Sequence, residues 1–317
     1  MLAPADGLPD VVDTPSALGA VAERLGAGRG PVAVDAERAS GFRYSARAYL
    51  VQLRRAGAGS FLIDPIPLAG RFEPLAAVLD GPEWVLHAAS QDLPCLAELG
   101  LRPTRLFDTE LAGRLAGLPR VGLGPMVEQL LGLRLEKGHG AADWSTRPLP
   151  TDWLVYAALD VEVLIELRDV LDDLLTEQGK RDWAVQEFEA VRAAPASPAR
   201  TDPWRRTSGI HRVRRPRQLA TIRELWHARD ELAERRDIAP GRVLPDSAII
   251  EAAMTSPPSS TELTKLPVFR GRAQRRLASY WWAAVHRAAV LPNAQLPPAT
   301  LPSDGPPPVN RWADRDP

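Results

Sequence analysis

Seventeen residues from Val191 to Thr207 (VRAAPASPARTDPWRRT) carry three prolines among alanine and polar side chains. Proline at that density interrupts helix and strand alike, so the segment reads as a linker between two parts of the chain. Its 317 residues suffice for about two domains of ordinary size. The two sides have different patterns. Before the break, Val32–Glu37 reads as a strand, and Tyr49–Leu53 and Ser60–Asp64 as two more joined by the turn RRAGAG. Helical periods follow at Phe72–Leu79, Asp92–Leu99, Glu110–Ala116 and Pro125–Leu131, with short strands at Trp84–His87 and Arg105–Phe107. Thr151–Glu177 reads as one long amphipathic helix.

Three strands followed by alternating helix and strand predict an α/β domain with a mixed sheet over residues 11–195. No strand pattern follows the break. Pro216–Arg236, Pro245–Met254 and Arg272–Ala289 read as helices, with a loop at Asp237–Leu244. A small all-helical bundle is expected over 213–290, after a linker at 196–212. Residues 291–317 hold 8 prolines in 27 and no apolar period, which predicts a disordered tail.

Charge separates along the same line. Residues 1–195 hold 19 basic and 28 acidic side chains, a balance of −9, whereas 196–317 hold 20 and 12, a balance of +8. The basic part is a candidate for binding nucleic acid. Single arginines carry little weight, because 36 of the 39 basic residues are Arg. One cysteine, Cys95, excludes a disulfide framework and any multi-cysteine zinc site. No apolar run approaches the ~20 residues of a membrane span. The first 12 residues carry Asp6 and Asp10 and no basic residue, unlike a secretory signal, so a cytoplasmic location is expected.

The informative residues are carboxylates in awkward places. Asp35 and Glu37 are two apart on a strand and leave the sheet on one face. Like charges so close repel unless a cation sits between them, and the pair fits either a solvated strand face or a metal site. Asp92, in the segment HAASQD that begins at His87, enters a helix, where it serves as a cap or as a site residue. Asp160 falls on the apolar stripe of its helix, one turn after Tyr156, where a carboxylate is costly unless paired or bound to metal. Asp108, between a strand and a helix, reads as a structural cap.

Taken together, D-x-E in the first strand, H-x4-D after a later one and Y-x3-D in a late helix resemble the three motifs of the tyrosine branch of the DEDD exonucleases. The phrases VDAE, YLVQL, FLIDP, LHAASQDLPCL, LFDTELAGRLAG and DWSTRPLPTDWLVYAALDVEVL resemble the ribonuclease D family. Residues 217–289 resemble the HRDC domain, a helical module shared with helicases. The resemblance implies a ribonuclease-H-like exonuclease domain followed by one HRDC bundle. It implies that Asp35, Glu37, Asp92 and Asp160 hold two divalent cations, Mg²⁺ or Mn²⁺. Tyr156 would orient the attacking water, and the product would be a nucleoside 5′-monophosphate.

The activity so implied is 3′–5′ trimming of RNA with a single-stranded 3′ end, such as a transfer-RNA precursor. A DNA exonuclease for repair and a non-catalytic nucleic-acid-binding scaffold are the alternatives. Gln52, His87, Arg205 and Arg206 are candidate substrate contacts, and Arg212, Arg214, Arg215 and Arg217 surround the same junction. Trp204 and the Trp281-Trp282 pair read as core anchors. Gly140-Ala141-Ala142 departs from the longer polar stretch that relatives carry before DW, leaving Lys137 and His139 without an assigned role.

Overall fold

A computed structural model describes residues 3–135, 138–195 and 200–300. The chain forms two units, 1–198 and 199–317. In the first, the strands are β1 (Val11–Val12), β2 (Arg29–Arg38), β3 (Ala48–Ala56), β4 (Gly59–Ile63), β5 (Glu83–Leu86) and β6 (Arg105–Asp108). They make one mixed sheet in the order β1-β4-β3-β2-β5-β6. The β2–β3–β4 meander is antiparallel, whereas β1 on β4, and β5 and β6 beyond β2, are parallel. The expected mixed α/β architecture is therefore present.

Strand alternation sorts β2 onto two faces. Val32, Val34 and Ala36 pack with Leu18, Val21 and Leu25 of helix α1 (Pro15–Ala27) and Leu75 and Leu79 of α2 (Glu73–Leu79). Helix α3 (Leu93–Glu98) adds Cys95 and Leu96 to that core. On the other face, Ala33, Val85 and Phe107 meet α4 (Thr109–Leu115), α5 (Leu123–Leu131), α7 (Leu164–Glu177) and α8 (Arg181–Ala193). Helix α6 (Thr151–Glu162) lies on that side against β2, β3 and β4, with Ala157 and Ala158 packed on Leu50, Leu62 and Trp144.

The single helix expected over 151–177 is broken. Val163, at φ −91° and ψ −12°, separates α6 from α7. The apolar period runs on through the break. However, α6 covers β2 to β4 while α7 covers β2 and β5, and one straight rod does not follow both parts of a twisted sheet.

A loop clamp sets the approach of α6. Arg147 spans both carboxylate oxygens of Asp64 at 2.6 and 2.8 Å and donates to the carbonyls of Tyr49, Trp144 and Thr146. Asp64 is buried, so the pair ties the segment before α6 to the end of β4.

The second unit is helical: α9 (Pro216–Arg236), α10 (Pro240–Val243), α11 (Asp246–Thr255), α12 (Ser260–Leu263), α13 (Arg272–Arg276) and α14 (Ala278–Val290). Leu219, Ile222 and Leu225 of α9, Ile249 and Ile250 of α11, Phe269 and Trp281 are buried. The loop expected at 237–244 contains the single turn α10. The expected linker is partly folded: Pro203–Arg206 forms a short 3-10 turn that packs on α9. Trp204, 1% exposed, drives this, an anchor like Trp281. The start of the proline-rich segment is likewise held. Arg217 donates to the carbonyl oxygens of Ala288 and Leu291 and to Asn293 Oδ1. The rest of the expected tail, 301–317, lies outside the described residues.

Candidate active site

The D-x-E pair is presented by β2 next to an irregularity. The register against β3 shifts between Glu37 and Arg38, a bulge of the kind that re-aims side chains beside active sites. Helix α6 crosses the same face and brings Asp160. One carboxylate oxygen each from Asp35, Glu37 and Asp160 lie within 4.8 Å of one another.

Asp92 comes from the N-terminal end of α3. It occupies the capping position, yet its side chain makes no capping hydrogen bond. Instead it faces Arg38, with Nη2 3.5 Å from Oδ1. The capping explanation for Asp92 is thereby removed. The backbone that delivers it is held by Asp108, which accepts from the N–H groups of Ala88 and Ala89 as well as those of Glu110 and Leu111 at the start of α4. Asp108 is a structural cap, and it caps two segments at once.

All four acids and Tyr156 line one cleft of about 970 Å³. His87, Arg120, Glu128 and Arg134 line it as well. The acids crowd one another electrostatically. Burial, then Asp35, Asp160 and Asp92, push Glu37 up to about 9. Burial and Asp35 push Asp92 up to about 8, against the pull of Arg38. Asp160 rises to about 8 through burial and Asp35, while a hydrogen bond with Tyr156 pulls it down. Asp35 is raised by burial, opposed by the Ala36 backbone and Arg38. Burial, followed by the charge of Asp160, also raises Tyr156, so its phenol stays protonated at neutral pH. Hard carboxylate oxygens gathered against their own repulsion are a donor set for a divalent cation such as Mg²⁺ or Mn²⁺, and these residues fit one.

The candidate substrate contacts fare differently. His87 reaches the cleft, its Nδ1 sharing a hydrogen bond with Thr109 Oγ1 at 2.9 Å, and burial lowers its pKa. Gln52 does not reach it. It is opposite Asp35 in register and shares its face, but it is fully enclosed and both amide atoms lack a hydrogen-bond partner among the described residues. The reading of Gln52 as a nucleotide contact is corrected on that ground. Arg205 pairs with Asp202 at 3.1 Å, lies 4.3 Å over the Trp204 ring and donates to the Pro298 carbonyl, so its fork is already used. Arg206 is exposed on the second unit.

His139 packs its ring edge-on to Tyr156, with centroids 5.8 Å apart, while Lys137 lies outside the described residues. Arg38, beside Asp92, and the cleft residues Arg120 and Arg134 are not singled out by the sequence pattern among so many arginines.

Residues 9–176 match the 3′–5′ exonuclease family model, and residues 218–285 match the HRDC domain. The ribonuclease D of Gluconacetobacter diazotrophicus is 34% identical over 314 residues, covering 95% of this chain and 78% of that protein. The chain belongs to the ribonuclease D family. Among solved structures, a Bifidobacterium adolescentis protein is 40% identical with a TM-score of 0.89, covering 96% of this chain and 79% of that one. Escherichia coli RNase D, an exoribonuclease involved in structured RNA processing, is 30% identical with a TM-score of 0.74, covering 92% and 78%. The catalytic core of RRP6 from Trypanosoma brucei is 26% identical with a TM-score of 0.79, covering 89% and 80%. As a ribonuclease D homologue, the chain is a 3′–5′ exoribonuclease acting on nucleic acid, and neither DNA repair nor a non-catalytic scaffold is favoured. No helix among the described residues is long and apolar enough to cross a membrane.

Proposed function

We propose that this ribonuclease D homologue trims the 3′ ends of structured RNA in the cytoplasm. The substrate would be a transfer-RNA precursor or similar molecule with a single-stranded 3′ end, shortened one nucleoside 5′-monophosphate at a time. The observation that carries the reading is the convergence of Asp35, Glu37, Asp92, Asp160 and Tyr156, from three separate elements, on one cleft. Asp35, Glu37, Asp92 and Asp160 would hold two divalent cations, Mg²⁺ or Mn²⁺. When bound, such ions supply the charge that activates a water and stabilises the phosphate and leaving oxygen in the transition state.

The protein's own groups do the rest. Without metal, protons held by the raised acids relieve the repulsion within the cluster; divalent cations would take the place of those protons, and an all-oxygen donor set favours hard ions. Tyr156, protonated and hydrogen-bonded to Asp160, has a phenol proton that it keeps at neutral pH. Its role is to orient the attacking water rather than deprotonate it. His87, at the cleft wall and disfavoured as a cation by burial, is proposed to touch the terminal nucleotide as a neutral hydrogen-bonding ring.

The test is digestion of matched, 5′-labelled RNA and DNA oligomers with Mg²⁺ or Mn²⁺. Stepwise shortening of RNA from its 3′ end with release of 5′-monophosphates is expected, and Asp35→Ala abolishes it. Faster digestion of the DNA, or binding without shortening of any substrate, overturns the proposal.

A further inference from the structure

The loop before α6 contains His139, which the acid cluster and the proposed chemistry leave unused. Its imidazole sits on the first turn of α6, against three side chains on one side of that helix. The ring is perpendicular to that of Tyr156, at 88° with centroids 5.8 Å apart, and its centroid is 5.9 Å from that of Trp153. Nε2 is 3.5 Å from Asp152 Oδ2. Asp152, Trp153 and Tyr156 stand at positions i, i+1 and i+4, within an arc of roughly 100° of the helix.

The loop is anchored without help from Tyr156. The His139 carbonyl accepts from Trp144 Nε1 at 3.1 Å and from the Ala142 N–H at 2.9 Å. Trp144 is fully buried and packs on Trp153, with centroids 5.3 Å apart. Ser145 Oγ accepts from Arg43 Nε at 2.8 Å, and Arg147 holds Asp64. His139 is thus fixed through its main chain, and the loop presents its ring to Tyr156.

Tyr156 needs such a neighbour. Its hydroxyl is hydrogen-bonded to Asp160, which tethers only the tip of the side chain. A tyrosine has three staggered wells about χ1, and Asp160 has rotamers of its own with which to follow a swing between them. A perpendicular aromatic ring packed beside the phenol blocks that swing and adds a favourable contact. Gly140 completes the wall: a Cβ there would lie 3.5 Å from Tyr156 Oη, so the loop passes close to the hydroxyl with no side chain to compete for it.

We infer that His139 is a positioning residue for Tyr156, its ring bracing the phenol in the rotamer that keeps the hydroxyl at Asp160. Ring packing, not charge, does the bracing, so phenylalanine at this position should serve and alanine should not. The inference rests on the reading of Tyr156 as the group that orients the attacking water, but the placement of the ring is tested without turnover.

The full chain is labelled with fluorotyrosine, and the fluorine resonance of Tyr156 is assigned by its loss in Tyr156→Phe. In EDTA, wild type and His139→Phe should each give one narrow Tyr156 line. His139→Ala should give a broadened line or a second one, as other rotamers become populated. In turnover, His139→Ala should lower kcat for RNA shortening by about 10- to 100-fold with KM unchanged, the loss expected when a group leaves its productive geometry. His139→Phe should restore most of it. In a Tyr156→Phe background His139→Ala should cause no further fall, because both changes act through one hydroxyl. A single narrow line in His139→Ala, a His139→Phe line as broad as that of the alanine variant, or an undiminished fall in the Tyr156→Phe background overturns the inference. The expected line shapes in a protein that shortens no RNA would uphold it while refuting the proposed activity.

Discussion

Asp108 offers a sharp test of how the site is held, because its carboxylate is 4% exposed and accepts from four backbone N–H groups. Oδ1 takes those of Ala88, Glu110 and Leu111 at 3.1, 3.0 and 3.2 Å, and Oδ2 takes that of Ala89 at 2.9 Å. Ala88 itself sits in the left-handed region at φ 58°, ψ 51°, a conformation that costs a non-glycine residue about 1 kcal/mol or more. In Asp108→Asn the amide oxygen retains the three Oδ1 bonds, and the amide NH₂ then confronts the Ala89 N–H, donor against donor. Loss of one buried hydrogen bond to a charged group costs about 1.5–3 kcal/mol.

For a unit of this size that corresponds to a fall in Tm of roughly 5–10 °C, read by circular dichroism in EDTA. The same turn leads into Asp92, so the Mg²⁺ concentration for half-maximal RNA shortening should rise as well. Ala88→Gly, which removes the left-handed penalty, should recover about 1 kcal/mol in the Asp108→Asn background. If Asp108→Asn melts with wild type and its Mg²⁺ midpoint is unmoved, the two-segment cap does not hold Asp92 in place and the reasoning fails.

Two further outcomes follow from buried charge. Arg147→Ala leaves Asp64 buried without its partner and should cost about 3–5 kcal/mol in urea unfolding. Arg147→Lys should recover only part, since one ammonium does not span both oxygens and three carbonyls; a Lys variant as stable as wild type would count against the clamp. In EDTA, the folded protein keeps protons on Glu37, Asp92 and Asp160 up to pH values near 8–9, whereas the unfolded chain releases them near 4. Because the folded state binds more protons across that window, stability should fall as pH rises through it. Saturating Mg²⁺ or Asp160→Asn should flatten the fall, and a level profile in EDTA would refute the crowding of these acids.

How much of this was legible depended on whether the signal was local. The D-x-E pair could be read because strand alternation alone puts both acids on one face, and Asp160 because it interrupts an apolar stripe. The strand β1 is two residues long and gives no period to read. Helix α1 carries a Thr14-Pro15 start, with Thr14 Oγ1 accepting from Ala17, but lies before the first clear strand. The break at Val163 is set by which strands α6 and α7 cover, and this is a tertiary fact. Gln52 shows the limit most clearly. Strand alternation correctly gives it the face of Asp35, but only the placement of α6 decides that this part of the face is sealed. Arg147 looked like any other arginine until its partner, 83 residues away, was beside it.

The charge asymmetry, −9 before the break and +8 after it, takes on a different meaning once partners are assigned. An acidic unit is a poor receptor for a polyanion only if its acids stay negative at the point of contact. Four of them converge where bound cations would reverse the local sign. In the basic unit the surplus overstates what is available, for Arg205, Arg217, Arg229 and Arg287 are engaged by carboxylates or carbonyl oxygens of the same unit. Those arginines stabilise the bundle.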